Sequence, residues 1–490
     1  MSDTNELVIG LDLGTSSVKA VLLSADGVLV AEAVAPLEVS RPRPLWSEQS
    51  PADWLAATDL AVQRLREKAA PTQWQRVRAL AAAGQMHGAV LLDAQGEVLR
   101  PAILWNDGRS QAQCAELEAR EPGTRRITAN RAMAGFTAPK LMWVARHEPA
   151  LFARVAKVLL PKDWLVWQLA GVMSSDCSDA AGTLWLDVAA RRWSEAMLLA
   201  SGMRPDQMPT LHEGPDAVGT LASRWTMHWG LPAHVRVAAG AGDNAGGAVG
   251  VGVVQPGQAL LSLGTSGVIF VATDSARANP ERGVHTFCHA LPGVWHQMAV
   301  MLSASSALAW WAGITGSAPG ELLAELPAGA FRPDAPLCLP YLSGERTPHA
   351  DPAASASFIG ITHATTRADL SYAVIEGVAF AFADGLAALR EAASEPRRLL
   401  AIGGGARSDT WLQLLADALQ VPVDRPAGAE VGPALGAARL ALMSLGYRRD
   451  AVVVAAPPAL SFVPDSTRSA SLQLRLQRFR SAYAPLRGLH

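Results

Sequence analysis

Two turns of nearly identical composition carry the first chemical signal in this chain. Leu11-Asp12-Leu13-Gly14-Thr15-Ser16-Ser17 returns roughly 250 residues later as Leu261-Ser262-Leu263-Gly264-Thr265-Ser266-Gly267. Small residues at a turn leave backbone N–H groups and hydroxyls uncovered, and such a turn can wrap a phosphate. The copies differ at one place, where the first has the carboxylate of Asp12 and the second has Ser262. One acidic and one neutral turn suit a two-domain clamp on a polyphosphate with a metal on one side. A third candidate is Asp243, in Ala238-Ala239-Gly240-Ala241-Gly242-Asp243-Asn244-Ala245-Gly246-Gly247. The small residues let the backbone approach a ligand while one carboxylate projects. A general base for a sugar hydroxyl needs such a carboxylate within hydrogen-bond reach. A helix N-cap aspartate is the other reading of the same residue, and one side chain can serve both.

Two further clusters could hold ligands. Gly403-Gly404-Gly405-Ala406-Arg407-Ser408 follows the apolar run Leu399 to Ile402 and precedes a helical stretch from Thr410 to Leu419. A flat or charged ligand can rest on such a backbone at a helix N-terminus. Gly84-Gln85-Met86-His87-Gly88 ends a strand-like run, where ligands of α/β folds lie. Trp105-Asn106-Asp107-Gly108-Arg109 adds an aromatic ring beside hydrogen-bonding groups, which suits a sugar with its apolar C–H faces and its hydroxyls. No second histidine stands at metal-ligand spacing from His87. The segment Gly240-x-Gly242-x-x-Ala245 lacks the acidic residue a dinucleotide loop expects about 20 positions on, and no GxxxxGK[ST] occurs.

These residues need rigid elements behind them. Leu7 to Leu13 and Val18 to Leu23 read as a hairpin, as do the runs from Ala259 to Ala272. Asp53 to Lys68 places Trp54, Ala57, Ala61 and Leu65 on one helical side, and Ala368 to Glu391 repeats that spacing with Leu370, Val374, Val378 and Phe382. Val77 to Ala83 reads as a strand, and a hairpin is expected around Asp93-Ala94-Gln95-Gly96. Alternation of strands and helices in both halves predicts an α/β fold. With 490 residues the chain suits two domains, with the seam expected near Val251 to Pro256. Arg468 to Arg480 reads as a basic helix with a solvated face.

Composition narrows the classes. A net charge of -2 gives no electrostatic reason to expect nucleic acid or an anionic membrane as partner. Cys114, Cys177, Cys288 and Cys338 form no CxxC pair, so reduced, buried thiols in a cytoplasmic protein are expected. The start, Met1 to Glu6, is polar and acidic, unlike a signal peptide. Asn244 to Thr273 and Gly283 to Gly320 lack Asp, Glu, Lys and Arg, but Gly, Pro, Ser or His interrupt both. The first reads as the seam plus a hairpin, and the second as strands followed by a buried helix.

Together these motifs resemble the FGGY family of carbohydrate kinases, within the actin/hexokinase/Hsp70 fold group. Gly135-Phe136-Thr137-Ala138-Pro139-Lys140-Leu141-Met142-Trp143 is similar to one family pattern, and Gly360-Ile361 through Glu376-Gly377 to a second. Several long phrases resemble the bacterial branch that phosphorylates D-xylulose. They are Pro44-Leu45-Trp46-Ser47-Glu48-Gln49, Gly84 to His87, Arg100 to Arg109, and Tyr341-Leu342-Ser343-Gly344-Glu345-Arg346-Thr347-Pro348-His349. Glycerol kinases place an Arg-Glu pair where this chain has Met86-His87.

The resemblance implies two ribonuclease H-like domains around a central cleft, at residues 1–252 (sugar site and first phosphate loop) and 253–490 (second phosphate loop and adenosine site). It implies ATP-dependent phosphorylation of the 5-hydroxyl of D-xylulose in xylose catabolism. Asp243 matches the catalytic base, and Asp12 the residue that orients Mg²⁺ through water. Met86, His87, Asp243 and Asn244, with Trp105 and Asp107, match the sugar ligands. Gly14, Thr15 and Ser16, Gly264, Thr265 and Ser266, and Gly404, Gly405, Ala406 and Ser408 match the nucleotide loops. The expected cofactors are ATP and Mg²⁺. The expected partners are a small sugar and ATP, and a second copy of the chain as a homodimer, but neither nucleic acid nor a membrane. A non-catalytic sugar sensor of this fold is expected to have lost Asp243 or Asp12, and both are present. A repressor would need an added helix-turn-helix domain, and the phosphate hairpin leaves no room ahead of it.

Overall fold

The structure, a computed structural model, describes residues 6–326, 331–427, 432–454 and 457–487. Residues 1–5 of the polar start lie outside them. Contacts divide the chain into two units. The first comprises Met1–Val254, Phe287–Trp295 and Val431–Ala455, and the second Gln255–Thr286, His296–Glu430 and Ala456–His490. The principal change of unit thus falls at Val254/Gln255, and two later stretches return to the first unit.

In the first unit, Leu7–Leu13 pairs antiparallel with Ser17–Ser24 across the Gly-Thr-Ser turn, and parallel with Val77–Gly84 on its other side. Arg236–Ala238 continues the sheet parallel to Val77–Gly84, and Ala217–Thr220 closes it antiparallel. Leu29–Pro36 forms the opposite edge. The second unit repeats the plan. Ala259–Leu263 pairs antiparallel with Gly267–Thr273 and parallel with Leu399–Ile402. Val423–Pro426 follows parallel, and Pro458–Phe462 closes antiparallel. The repeated phrase is therefore the turn of the same hairpin in two similar sheets. Central strands of this kind are covered on both faces and read as near-continuous apolar runs. In Leu7–Leu13 only Asp12, next to the turn, is not fully buried.

Helices cover these sheets. Proline at the first helical position opens Pro51–Lys68, and Trp54, Ala57, Ala61 and Leu65 are buried as their spacing predicts. Arg367–Glu391 has the length and hydropathy of a membrane span, but its apolar window is almost wholly buried in the core of the second unit. Gly432–Ser444 belongs to the first unit and lies against Asp243–Val251 and the strand Leu7–Leu13. Glycines make that approach possible. A Cβ on Gly436 would collide with the Gly246 carbonyl, and one on Gly10 with the Ala434 carbonyl.

Three local expectations change. The arginines of Ser466–Leu486 are not merely solvated. Arg475 is buried against Glu376 at 2.6 Å, while Arg468 and Arg480 pair with Asp417 and Asp384. These partners lie far off in sequence, so charge pattern alone could not show them. The helix Ser305–Thr315 buries Leu308 and Trp311 but exposes Trp310 and Ile314, so it is covered on one face only. Near Asp93 the expected hairpin is very short: Asp93 N donates to Glu97 O and Leu99 N to Leu91 O around a single antiparallel bridge between Leu92 and Val98, and Val90–Leu92 also pairs with Lys157–Leu159. All four cysteines are buried and free of disulfides.

Candidate active site

The first Gly-Thr-Ser turn is fixed from below by two amides. Gly14 N donates to Ser17 O at 3.0 Å, closing the turn. The Thr15 hydroxyl donates to Gln85 Oε1 at 3.1 Å, and Gln49 Nε2 donates to the Thr15 carbonyl at 2.7 Å. Gln85 Nε2 in turn donates to Gln49 Oε1 at 2.9 Å. Ser16 at the tip stays exposed. Trp105 donates its indole N–H to Thr15 Oγ1 at 3.0 Å, so its ring sits beside this turn with part of its surface exposed. Gln49 and Gln85 lie in phrases that the sequence singles out, but their place under the turn is not visible there, because these bonds reach 34 to 71 residues along the chain.

Asp243 is the first residue of the helix Asp243–Val251, with Gly242 at the N-cap. Its Oδ1 accepts from its neighbour Asn244, from the backbone N at 2.7 Å and from Nδ2 at 2.8 Å. It is not the helix cap, so its carboxylate is available for chemistry. Surrounding protein pushes its pKa up to about 6, with the two Asn244 bonds opposing the rise. Removal of its carboxyl from solvent pushes Asp12 up to about 7, with repulsion from Asp243 second and attraction by Lys19 opposing. Two carboxyls that repel each other beside loop hydroxyls form an oxygen donor set short of positive charge.

Met86 and His87 lie at the end of the strand Val77–Gly84. Met86 is buried, and a Cβ on Gly242 would stand 2.9 Å from its Cγ, so the methionine lies against the turn that carries Asp243. His87 is half-buried, and its Nδ1 meets the Gly182 carbonyl at 2.6 Å. Asp107 has a different setting. It is buried, and its Oδ1 accepts from Arg109 N and Nε, while its Oδ2 accepts from Ser47 N and Arg109 Nη2. Both oxygens thus hold the loop together.

Behind the turn lies a charged cluster that sequence reading missed. The Lys162 ammonium is 2.7 Å from Asp163 and 2.9 Å from Asp176, and it donates to the Ala239 carbonyl at 3.1 Å. Burial works against its charge, but Asp163, Asp176 and Asp179 outweigh burial and keep its pKa above the ordinary lysine value. Ser178 Oγ accepts from Gly242 N at 3.1 Å. The cluster therefore grips the backbone just ahead of Asp243 at two points.

In the second unit, Gly264 and Thr265 are tied to the helix Ser305–Thr315. Gly264 O accepts from Ser305 N at 2.9 Å, and Thr265 O from the Ser306 hydroxyl at 2.8 Å. Thr265 and Ser266 are exposed. The triple glycine sits directly on this turn. A Cβ on Gly403 would lie 2.9 Å from the Leu263 carbonyl, and one on Gly405 would lie 2.5 Å from Leu263 Cγ. Gly404 and Gly403 are exposed, whereas Ala406 is buried. Ser408 caps the helix Asp409–Leu419, accepting from Trp411 N at 3.2 Å.

Each unit thus brings together its own predicted residues. Asp12, Gly14 to Ser16, Met86, His87, Trp105, Asp243 and Asn244 belong to the first, and Gly264 to Ser266 and Gly403 to Ser408 to the second. Among the described residues no three His, Cys, Asp or Glu side chains form a ready metal cage.

Comparison with known proteins gives this geometry a context. The chain is 50% identical to a xylulose kinase of Escherichia coli (strain K12), over 98% of this chain and 99% of that one. It is 39% identical to a xylulose kinase of Bacillus subtilis (strain 168), over 90% and 88%. Among solved structures, a xylulose kinase from Rhodospirillum rubrum superposes with a TM-score of 0.90 at 32% identity, covering 98% of this chain and 99% of that one. Residues 7–250 match the model of the FGGY N-terminal domain and residues 259–445 that of the C-terminal domain. A duplicated sheet whose two hairpin turns each present Gly-Thr-Ser is thereby accounted for: the chain belongs to the FGGY family of carbohydrate kinases.

Proposed function

We propose that this kinase transfers the γ-phosphoryl group of ATP to the 5-hydroxyl of D-xylulose, giving D-xylulose 5-phosphate and ADP. The observation that carries the reading is the seating of Met86 against the turn that presents Asp243, with His87 next to it in the chain. This gives a sugar-binding edge beside a half-exposed carboxylate. The near full-length xylulose kinase relatives support the choice of ketose.

In this mechanism Asp243 accepts the proton of the 5-hydroxyl as its oxygen bonds to the γ-phosphorus and the bond to the ADP oxygen breaks. A pKa of about 6 leaves the carboxylate mostly ionised at neutral pH yet basic enough to take a proton. His87 and Asn244 orient the sugar hydroxyls, Met86 forms an apolar wall, and Trp105 braces Thr15. The Gly14–Ser16 and Gly264–Ser266 turns hold phosphate oxygens, and Gly404 and Gly405 offer a bare backbone to the adenosine. Catalysis of this kind is mostly positioning and charge neutralisation. The oxygen donors around Asp12 fit Mg²⁺, which keeps several waters and needs no all-protein cage. Bound there, Mg²⁺ supplies neutralising charge for the phosphates.

We further propose residues 1–252 and 253–490 as the sugar and nucleotide domains, with the stretches 287–295 and 431–455 completing the first. Four buried, unbridged thiols support a cytoplasmic location. The test is a coupled ADP-release assay across D-xylulose, D-ribulose, glycerol and gluconate. D-Xylulose should give the highest kcat/KM. A higher value for another substrate would overturn the assignment.

A further inference from the structure

His87 is held in an unusual way. Its φ of +70° lies in the left-handed region, which non-glycine residues rarely adopt. Such a conformation persists only where the surroundings over-determine it, and these cases cluster at functional sites. Here Thr137 Oγ1 and Lys140 Nζ both donate to the His87 carbonyl, at 3.1 and 2.8 Å. The ring meets Phe136 edge to face at a centroid distance of 4.7 Å. Its Nδ1 faces the Gly182 carbonyl at 2.6 Å. A carbonyl can only accept, so Nδ1 carries the proton, and in the neutral ring Nε2 is then the acceptor.

Gly182 lies in the short turn Ala181–Thr183 and is buried. Its backbone is not in the left-handed region, so conformation does not demand glycine there. Space does. A Cβ at this position would stand 2.5 Å from His87 Nδ1, 2.7 Å from its Cε1 and 2.9 Å from Met86 Cε. One backbone position therefore orients the ring, selects its tautomer and leaves room for both sugar-facing side chains.

We propose that Gly182 is a positioning residue that makes His87 a hydrogen-bond acceptor toward the ketose, and so sets the sugar preference of the site. This rests on the assignment of Met86 and His87 as the sugar-binding edge. A sugar hydroxyl donates to Nε2. A ketose with its hydroxyl inverted at the matching carbon cannot make that bond, and sites built on such bonds discriminate strongly.

The test is a double-mutant cycle with Gly182→Ala and His87→Ala. The readouts are kcat/KM for D-xylulose and D-ribulose, the KM for ATP, and melting temperature. Gly182→Ala should lower kcat/KM for D-xylulose by about 10²-fold, the scale of a 1 Å misplacement. It should narrow the gap to D-ribulose and leave the ATP KM within about twofold. In the His87→Ala background the same change should cost no more than about twofold, because coupled residues do not add. Full additivity, or an unchanged ratio between the sugars, would overturn the proposal. A silent His87→Ala would overturn the sugar-edge assignment and this inference with it. A damaging His87→Ala with additive effects would overturn the inference alone. Nitrogen NMR of histidine-labelled wild type gives an answer that needs no variant. The His87 ring should show a protonated Nδ1, and D-xylulose should perturb Nε2. A proton on Nε2 instead would sink the proposal.

Discussion

The roles proposed for Asp243 and Asp12 differ although the functional group is the same, and so do their surroundings. Among the described residues, Asp243 has no cation in contact and accepts only from Asn244, and its pKa is raised to about 6. As a base it must be ionised. Activity should therefore fall as pH drops through about 6 and level off above it. Asp243→Asn preserves shape but cannot take the proton, so kcat should fall by ~10²–10⁴-fold while sugar binding persists. A near wild-type kcat would refute the assignment. Asp12 is raised to about 7, by removal from solvent first and by Asp243 second. A carboxyl raised on folding binds its proton more tightly in the folded state, so its ionisation destabilises the fold increasingly as pH rises from about 4 to about 7. Without metal, Asp12→Asn should then raise the melting temperature, more at alkaline than at acidic pH. Asp12→Ala should weaken the rate response to Mg²⁺ and leave the KM for sugar alone. Calorimetry and Mg²⁺ titrations check the pair, and an unchanged Mg²⁺ response with weakened sugar binding would reverse the role given to Asp12.

At the scale of elements, the legible parts were those whose cause is local. The two hairpins follow from apolar runs around a Gly-Thr-Ser turn, and Pro51–Lys68 from its apolar spacing and opening proline. Asp243 stands out in the sequence as a candidate because small residues flank it. The supports were not. The Gln49–Gln85 amide pair and the Lys162 grip on Ala239 join residues 36 and 77 positions apart, and no local pattern marks them. Asp107 shows the converse: in sequence it resembles a ligand, but four donors occupy its oxygens. Ser408 raises the same question in the proposed nucleotide loop, since its side chain caps the helix Asp409–Leu419. Ser408→Ala should cost about 0.5–2 kcal/mol of stability. Ser408→Asp should keep the cap and most of that stability. Thermal melts and ATP titrations of both variants separate the roles: if Ser408→Asp melts normally but ATP binding collapses, the serine contacts nucleotide as well.

At the scale of the whole molecule, the first unit is assembled from three separate stretches of chain. Its sheet is complete before Val254 but not covered, because the helix Gly432–Ser444 lies on Leu7–Leu13 and beside Asp243–Val251. The contact depends on bare backbone, so Gly436→Val should destabilise the protein toward the upper end of the ~1–3 kcal/mol typical of overpacked cores. Chemical denaturation would show it, and a midpoint unchanged from wild type would mean that the helix is not needed there. The same arrangement bears on how the protein is made. During synthesis from the N-terminus, the strand bearing Asp12 waits for a helix encoded more than 400 residues later, with its glycine-lined face open in the meantime. The ribosome must release most of the second unit before the first can close. A nascent chain stalled anywhere short of that helix would present an unfinished apolar surface, a ready substrate for chaperones and proteases.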